Sequence, residues 1–166
     1  MNEFKTLTTE SSLQSIRDIA GEIWPETFRE ILSAEQIRYM MQMMYAPEVM
    51  AKELAAGYTF ELLICDGTPA GYMLSSVCEN DPEILKLHKL YLLKQYHHTG
   101  RGQLMLDHVA ANAKKAGFRI LRLNVNKHNQ RAIKAYLRNG FEIAAAEKND
   151  IGSGFFMDDY VMEKVL

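Results

Sequence analysis

The sequence predicts a single domain of the α/β or α+β class with a mixed sheet. Three observations support this: helical periodicity before residue 46, strand patterning from Tyr58, and an alternation of strands with helices after that. The chain has 166 residues, of which 48% are hydrophobic and 24% charged. A chain of this length and composition buries roughly 70% of its unfolded surface around one core.

Two amphipathic helices are predicted near the N-terminus. Residues 11–23 carry apolar side chains at helical spacing behind a serine cap. A second helix is expected from Ser33, which has Gln36 three residues later in the capping-box pattern. Pro25 and Pro47 are expected to bound these segments.

A hairpin and a third strand come next. The segments "YTFELLIC" and "AGYMLSSVC" flank "DGTP", and an Asp-Gly turn between two apolar runs is a hairpin signal. The third strand is predicted across residues 84–93.

The second half alternates strands with helices. A helix from about residue 101 to 116 ends at Gly117, and "RILRLNVN" follows as a strand. Another helix, from about 130 to 139, ends at Gly140, and "FEIAAAE" and "FFMDDYVMEKVL" are the last strands. No repeat or linker rich in Pro, Gly or Ser interrupts the chain, so residues 1–166 are expected to form one domain.

Charge and cysteine usage exclude several classes of function. The net charge of −2 disfavours binding to nucleic acid or to an anionic membrane. No apolar run approaches the ~20 residues of a membrane span, and a cytoplasmic protein is expected. Cys65 and Cys78 show no metal-ligand or CxxC spacing, which favours free thiols over redox chemistry. His97 and His98 are adjacent and suit no chelate, so no metal is expected.

The stretch "KQYHHTGRGQLML", residues 94–106, places Gly100 and Gly102 where a strand gives way to a helix. Such a junction leaves backbone N–H groups unpaired at the positive end of the helix dipole, which suits a phosphate. By itself the pattern is as typical of a tight turn as of a ligand site. No Walker lysine follows, and the third glycine of a dinucleotide fingerprint would fall at Met105.

A second stretch, "NQRAIKAYLRNGF", gives the turn a context. Together the two resemble the GNAT superfamily of N-acetyltransferases, whose patterns are [QR]-x-x-G-x-[GA] and, later, N-x-x-A-x-x-x-[YF]-x-x-x-G-F. The second pattern is matched by Asn129, Ala132, Tyr136, Gly140 and Phe141. The first is matched by Gly100 and Gly102, while His97 stands where glutamine or arginine is usual. The stretches "KLYLLKQYHHTGRG" and "MDDYVMEK" are most similar to the branch with bacterial polyamine (spermidine and spermine) acetyltransferases.

The resemblance implies a GNAT-like fold, a mixed, mostly antiparallel twisted sheet with helices on both faces, and acetyl-CoA as co-substrate. The pantetheine arm would bond to the strand backbone, the pyrophosphate to N–H groups of the turn, and Asn129 to a pantetheine amide. Capping of the following helix is the plainer account of Asn129. The implied cofactor-binding set is Leu90, Leu92, His97, His98, Thr99, Gly100, Arg101, Gly102, Gln103 and Asn129.

The resemblance assigns Tyr136 as the acid that protonates the departing thiolate; an aromatic residue on the inner face of its helix is the structural alternative. Ordinary values of about 10 for a phenol and about 8.5 for a thiol make the transfer uphill by only ~2 kcal/mol. A primary amine is protonated at pH 7, and reaching the neutral form costs about 4.6 kcal/mol, so a base is needed. Several family members use a glutamate where this chain has Lys86. His88, two residues on, is the candidate base or water-holder, against a purely structural histidine.

The expected reaction is direct attack of a primary amine on acetyl-CoA in a ternary complex, with a small polyamine-like acceptor. The acidic stretches "CENDPE" and "MDD" suit a cationic amine, although solvated loops contain the same residues. Acetylation of a peptide or protein N-terminus or lysine is the alternative enzyme function. A non-catalytic acyl-CoA-binding regulatory module is the alternative of another class. Many relatives are dimers, so a homodimer is left open.

Overall fold

The computed structural model describes all residues, Met1–Leu166. Seven strands form one sheet in the order β1-β2-β3-β4-β5-β7-β6. The strands are β1 (Asn2–Leu7), β2 (Thr59–Cys65), β3 (Thr68–Cys78), β4 (Asp81–Leu92), β5 (Ile120–Asn126), β6 (Glu142–Gly152) and β7 (Phe155–Val165). β4 and β5 run parallel, whereas β1–β2, β2–β3, β5–β7 and β6–β7 are antiparallel. This confirms the predicted class with a mixed, mostly antiparallel sheet.

Five α-helices and two short 3-10 helices complete the chain. The α-helices are α1 (Gln14–Phe28), α2 (Ala34–Tyr45), α3 (Pro47–Ala55), α4 (Arg101–Lys115) and α5 (Gln130–Arg138), and the 3-10 helices are Glu10–Leu13 and Lys94–Tyr96. None of the helices is both long enough and apolar enough to cross a lipid bilayer.

The chain divides into two compact units. The first unit comprises Met1–Ser76 and Lys89–Met105, and the second comprises Val77–His88 and Leu106–Leu166.

The first unit contains a strand and an α-helix that the sequence did not predict. Strand β1 pairs antiparallel with β2, from Asn2 opposite Cys65 to Leu7 opposite Phe60. Helix α3 begins at Pro47, where a missing N–H has no consequence because the first-turn N–H groups have no partner within a helix.

The N-terminal helix differs from its prediction at both ends. Pro25 does not bound the helix but lies inside its last turn, and the N–H of Arg29 still bonds to the Pro25 carbonyl. Continuation for one more turn buries Phe28, which is 6% exposed. The cap belongs to Thr9, which accepts from the N–H of Ser12 and begins the 3-10 turn ahead of α1.

The other predicted caps and turns are confirmed. The Ser33 hydroxyl accepts from the N–H of Gln36 at 3.1 Å and caps α2. Asp66 and Gly67 have φ of 50° and 81°, the pair of positive values that a type I′ hairpin turn requires. Both cysteines are free, and Cys65 is 2% exposed.

An aromatic cluster fills part of the first unit's core. The Trp24 indole N–H donates to the Tyr45 hydroxyl at 2.9 Å, and that hydroxyl also bonds to the Tyr72 hydroxyl. The three residues are at most 4% exposed. The rings of Trp24 and Tyr91 lie 5.7 Å apart. The polar ends of these side chains thus satisfy one another within the core.

Candidate active site

The predicted phosphate turn lies in the first unit, between the end of β4 and the start of α4. The backbone reverses at His98, with φ of 62°, and at Gly100, with φ of 81°. His98, Thr99 and Gly100 are exposed. Glycine is favoured at position 100 because other L-residues resist a positive φ.

Gly102 differs from Gly100 in its backbone conformation. It is the second residue of α4, its φ is not positive, and an added Cβ would meet no atom within 4 Å. A glycine inside a helix lowers stability by roughly 0.5–1 kcal/mol relative to alanine. Neither the backbone nor the packing therefore requires glycine here, and the open space is suited to close approach by a ligand.

The amide groups of this turn form an anion-binding geometry. The helical ladder begins with the Leu104 N–H bonded to the Gly100 carbonyl at 3.0 Å. The N–H groups of a helix's first turn have no carbonyl partner within the helix, and its dipole places partial positive charge there. α4 spans 15 residues and ends in lysines, which also suits its dipole.

Side chains of the turn hold its shape. The His97 Nε2 donates to the Leu92 carbonyl at 2.8 Å, and the Thr99 hydroxyl donates to the Tyr96 carbonyl. Arg101 places Nε 3.1 Å from the Cys65 sulfur, with its guanidinium 5.2 Å from the centre of the Tyr96 ring. Thr99 must rotate before it can donate to a ligand.

The first unit therefore brings the predicted turn together with the end of β4. Leu90 and Leu92 are half-buried, and Gln103 is exposed. Nearby, Gly71 in β3 is required for packing, because a Cβ there would lie 2.6 Å from the Tyr91 carbonyl oxygen. No local pattern in the sequence indicates this close approach of β3 to β4, because only three-dimensional packing creates it.

Asn129 begins α5 in the second unit. Its side-chain oxygen accepts from the Ala132 N–H at 3.3 Å, and its own N–H donates to the Asn126 carbonyl at 2.9 Å. The residue is half-buried and is the N-cap of the helix. The side-chain NH₂ group makes no hydrogen bond and stays available as a donor.

Tyr136 lies on α5, with its ring centre 5.5 Å from that of Phe141. The residue retains partial exposure, yet burial of its hydroxyl raises the pKa of Tyr136 to about 12. Against a thiol near 8.5 the gap is about 3.5 pKa units, or about 5 kcal/mol for proton donation. The phenol is thus a weaker acid than an ordinary tyrosine but stays protonated across the working pH range.

His88 and Lys86 lie on the part of β4 that belongs to the second unit. His88 is exposed. The Lys86 ammonium donates to the Asn124 side-chain oxygen at 2.8 Å. The lysine at the family's glutamate position therefore has a defined polar partner on β5.

Sequence reasoning did not single out Asn124, and it considered Asp159 only as part of an acidic stretch. Asp159 is 4% exposed, on β7, where it lies opposite Asn126 of β5 and Glu147 of β6. Long-range pairing of three strands brings these side chains together, and the local sequence carries no signal for it. A buried aspartate is itself unusual, because such residues are mostly exposed unless paired.

The fold, the glycine turn at the start of α4 and the Asn-capped helix that carries Tyr136 are together typical of one class of protein, the acyltransferases. The chain belongs to the acetyltransferase (GNAT) family, whose model matches residues 13–141. It is an N-acetyltransferase, as the sequence predicted.

The similarity to known proteins extends over nearly the whole chain. A spermidine N(1)-acetyltransferase of Thermoplasma acidophilum is 29% identical over 161 residues, which are 94% of this chain and 95% of that protein. The crystal structure of PaiA N-acetyltransferase from Thermoplasma acidophilum, in complex with coenzyme A, superposes with a TM-score of 0.79 at 24% identity, covering 99% of each chain. A ribosomal-protein-alanine N-acetyltransferase from Brucella melitensis gives a TM-score of 0.68 at 19% identity, again covering 99% of each chain. The two structures confirm the fold.

Proposed function

We propose that this protein transfers the acetyl group of acetyl-CoA to a primary amine of a small, polyamine-like molecule. The choice of acceptor is supported by the similarity to a spermidine N(1)-acetyltransferase over 94% of the chain. The glycine turn supports acetyl-CoA, because Gly102 has no role in the backbone or the packing. We place the reaction in the cytoplasm, where thiols such as Cys65 and Cys78 stay reduced.

Each part of the co-substrate is assigned to one group of residues. The pyrophosphate would accept hydrogen bonds from backbone N–H groups between His98 and Gln103, at the start of α4. The pantetheine arm would bond to the backbone of Leu90 and Leu92. The free NH₂ group of Asn129 would donate to a pantetheine carbonyl.

The chemical step needs one base and one acid. The acceptor ammonium loses a proton to His88, or to a water that His88 holds, and the neutral nitrogen attacks the thioester carbonyl. The carbon–nitrogen bond forms, the carbon–sulfur bond breaks, and Tyr136 gives its phenolic proton to the departing sulfur. The proton lost by the attacking nitrogen restores the phenol, so no covalent enzyme intermediate is required.

Thiol release from acetyl-CoA tests the proposal across a panel of acceptors. The panel contains spermidine, spermine, lysine-containing peptides, peptide N-termini and aminoglycosides. Saturable release with spermidine or spermine supports the proposal. Release with peptides alone would replace it by peptide or protein acetylation, and release with none, in protein that binds acetyl-CoA, would contradict it.

A further inference from the structure

Asp159 lies at the junction where α5 begins, within the second unit. It pairs in register with Asn126, the last residue of β5, and the Asn126 carbonyl accepts from the N–H of Asn129 at 2.9 Å. The neighbouring Asp158 carbonyl accepts from the N–H of Lys127 at 3.1 Å. The backbone of Asp159 is therefore joined, through Asn126, to the start of the helix that carries Tyr136.

The carboxylate of Asp159 is buried without a cation. The residue is 4% exposed and forms no ion pair with any lysine, arginine or histidine. Its neighbour Asp158 provides the contrast, because that carboxylate is paired with the Lys127 ammonium at 2.8 Å. The hydrogen-bond partner of Asp159 is the neutral side chain of Asn124. A buried charge without an opposite charge is costly, which is why buried carboxylates are normally in ion pairs.

Lys86, whose charge acts on Asp159, does not form an ion pair with it. Lys86 donates to the Asn124 side-chain oxygen at 2.8 Å, and the Asn124 NH₂ group lies 3.4 Å from the Glu147 carboxylate. Lys86 therefore acts on Asp159 through space, with Asn124 as the intervening polar group.

Charges of both signs act on Asp159. Burial raises the pKa of its carboxyl, the Asn124 side chain lowers it, the charges of Asp158 and Glu147 raise it, and Lys86 lowers it. Glu147 is exposed to solvent and Asp158 is paired with the Lys127 ammonium, so Asp159 is the buried carboxylate of this group that lacks an ion-pair partner.

We propose that Asp159 binds the ammonium group of the acceptor amine, and that Lys86 moderates this affinity by its opposing charge. The assignment rests on the proposed function. An ammonium group supplies the opposite charge that Asp159 lacks, together with three N–H donors from which its carboxylate can accept hydrogen bonds. A neutral acceptor, such as an alcohol, would leave the buried carboxylate unpaired and would be rejected.

The test compares three variants by steady-state kinetics, with the amine that the wild-type protein acetylates and with acetyl-CoA. Asp159→Asn preserves the shape and removes the charge, and it is expected to raise the acceptor KM by about tenfold or more, as loss of a charge-assisted hydrogen bond does. Its KM for acetyl-CoA stays unchanged. Asp158→Asn, the matched control, leaves both KM values within about twofold. Lys86→Gln is expected to lower the acceptor KM by about threefold.

The outcomes separate this assignment from the proposed function. A wild-type protein that acetylates no amine contradicts both. With an active wild-type protein, an acceptor KM for Asp159→Asn equal to that for Asp158→Asn would overturn the assignment. An equal rise in both KM values together with a lower melting temperature would show a structural role instead. If Asp159→Asn does not fold, Lys86→Gln decides, because an unchanged or increased acceptor KM contradicts the proposal.

Discussion

The His97 ring donates from Nε2 to the Leu92 carbonyl at 2.8 Å, and this bond ties the predicted phosphate turn to the end of β4. His97 replaces the glutamine or arginine of the family pattern. The histidine that departs from the family pattern therefore makes a structural contact of its own.

Replacement of His97 tests this contact. His97→Ala removes a bond of about 1 kcal/mol, and a less ordered turn is expected to raise the acetyl-CoA KM by about fivefold. His97→Gln retains a donor for the Leu92 carbonyl and is expected to stay within about twofold of wild type. Both values are measured at saturating acceptor. Equal KM values for the two variants would show that the contact has no effect on the turn.

The two turn glycines are expected to respond in opposite ways to alanine. Gly102→Ala adds a methyl group where no atom lies within 4 Å, and it should stabilise the fold by about 0.5–1 kcal/mol while raising the acetyl-CoA KM. Gly100→Ala should destabilise it by about 1 kcal/mol, because φ there is 81°. Denaturant unfolding and acetyl-CoA kinetics measure both effects. A stabilised Gly102→Ala with unchanged KM would exclude close approach of a ligand at this residue.

Local signals in the sequence predicted the parts of the fold that depend on local chemistry. The Asp66-Gly67 turn and the Ser33 cap are set by backbone angles and side-chain oxygens within four residues. Strand β1 was missed because five of its six residues are not buried, so it has no alternation of apolar and polar positions. Its identity comes from pairing with β2, about 60 residues away.

The residues of the candidate site likewise divide into those that short sequence patterns predict and those that depend on long-range contacts. Gly100, Gly102, Asn129 and Tyr136 belong to short patterns with fixed spacing, so they could be predicted. The partners of Lys86 could not, because its bond to Asn124 joins residues 38 positions apart. The burial of Asp159 without an ion-pair partner depends on the register of three strands, which no local pattern encodes.

Tyr136→Phe is expected to lower kcat by about 100-fold or more, with little change in the acetyl-CoA KM. The phenylalanine ring keeps the packing against Phe141 and loses only the proton donor. Because the pKa of Tyr136 is about 12, the protonated form persists as pH rises, and loss of this acid causes no decline in kcat below pH ~10. A pH profile of kcat measures this. Unchanged turnover in Tyr136→Phe would remove the residue from the mechanism.

The hydrogen-bonded aromatic cluster makes a prediction about stability. Tyr45 is the central member, since its hydroxyl accepts from Trp24 and bonds to Tyr72. Tyr45→Phe removes both hydrogen bonds of this buried hydroxyl and should destabilise the fold by about 2–3 kcal/mol. Tyr72→Phe leaves the Trp24 bond intact and should cost about 1 kcal/mol. Urea unfolding compares them, and an equal loss in both would contradict the central role of Tyr45.

Lys89 is a buried lysine whose charge is expected to limit stability. It is 7% exposed, with its ammonium 4.4 Å from the centre of the Tyr45 ring. Burial lowers the pKa of Lys89 below 10.5, and the charge of Glu53 opposes this only in part. Between the lowered pKa of the folded state and 10.5 the unfolded chain holds a proton that the folded chain has released, so stability should increase as pH rises through this window.

Lys89→Met keeps the apolar stem and removes the charge. It is expected to raise the melting temperature at pH 7 and to remove the increase of stability with pH in the window between the lowered pKa of Lys89 and 10.5. Lys52→Met, at an exposed position of α3, is the control for loss of one positive charge and should leave the melting temperature nearly unchanged. A lower melting temperature for Lys89→Met than for Lys52→Met would mean that the Lys89 ammonium stabilises the aromatic cluster more than its burial costs.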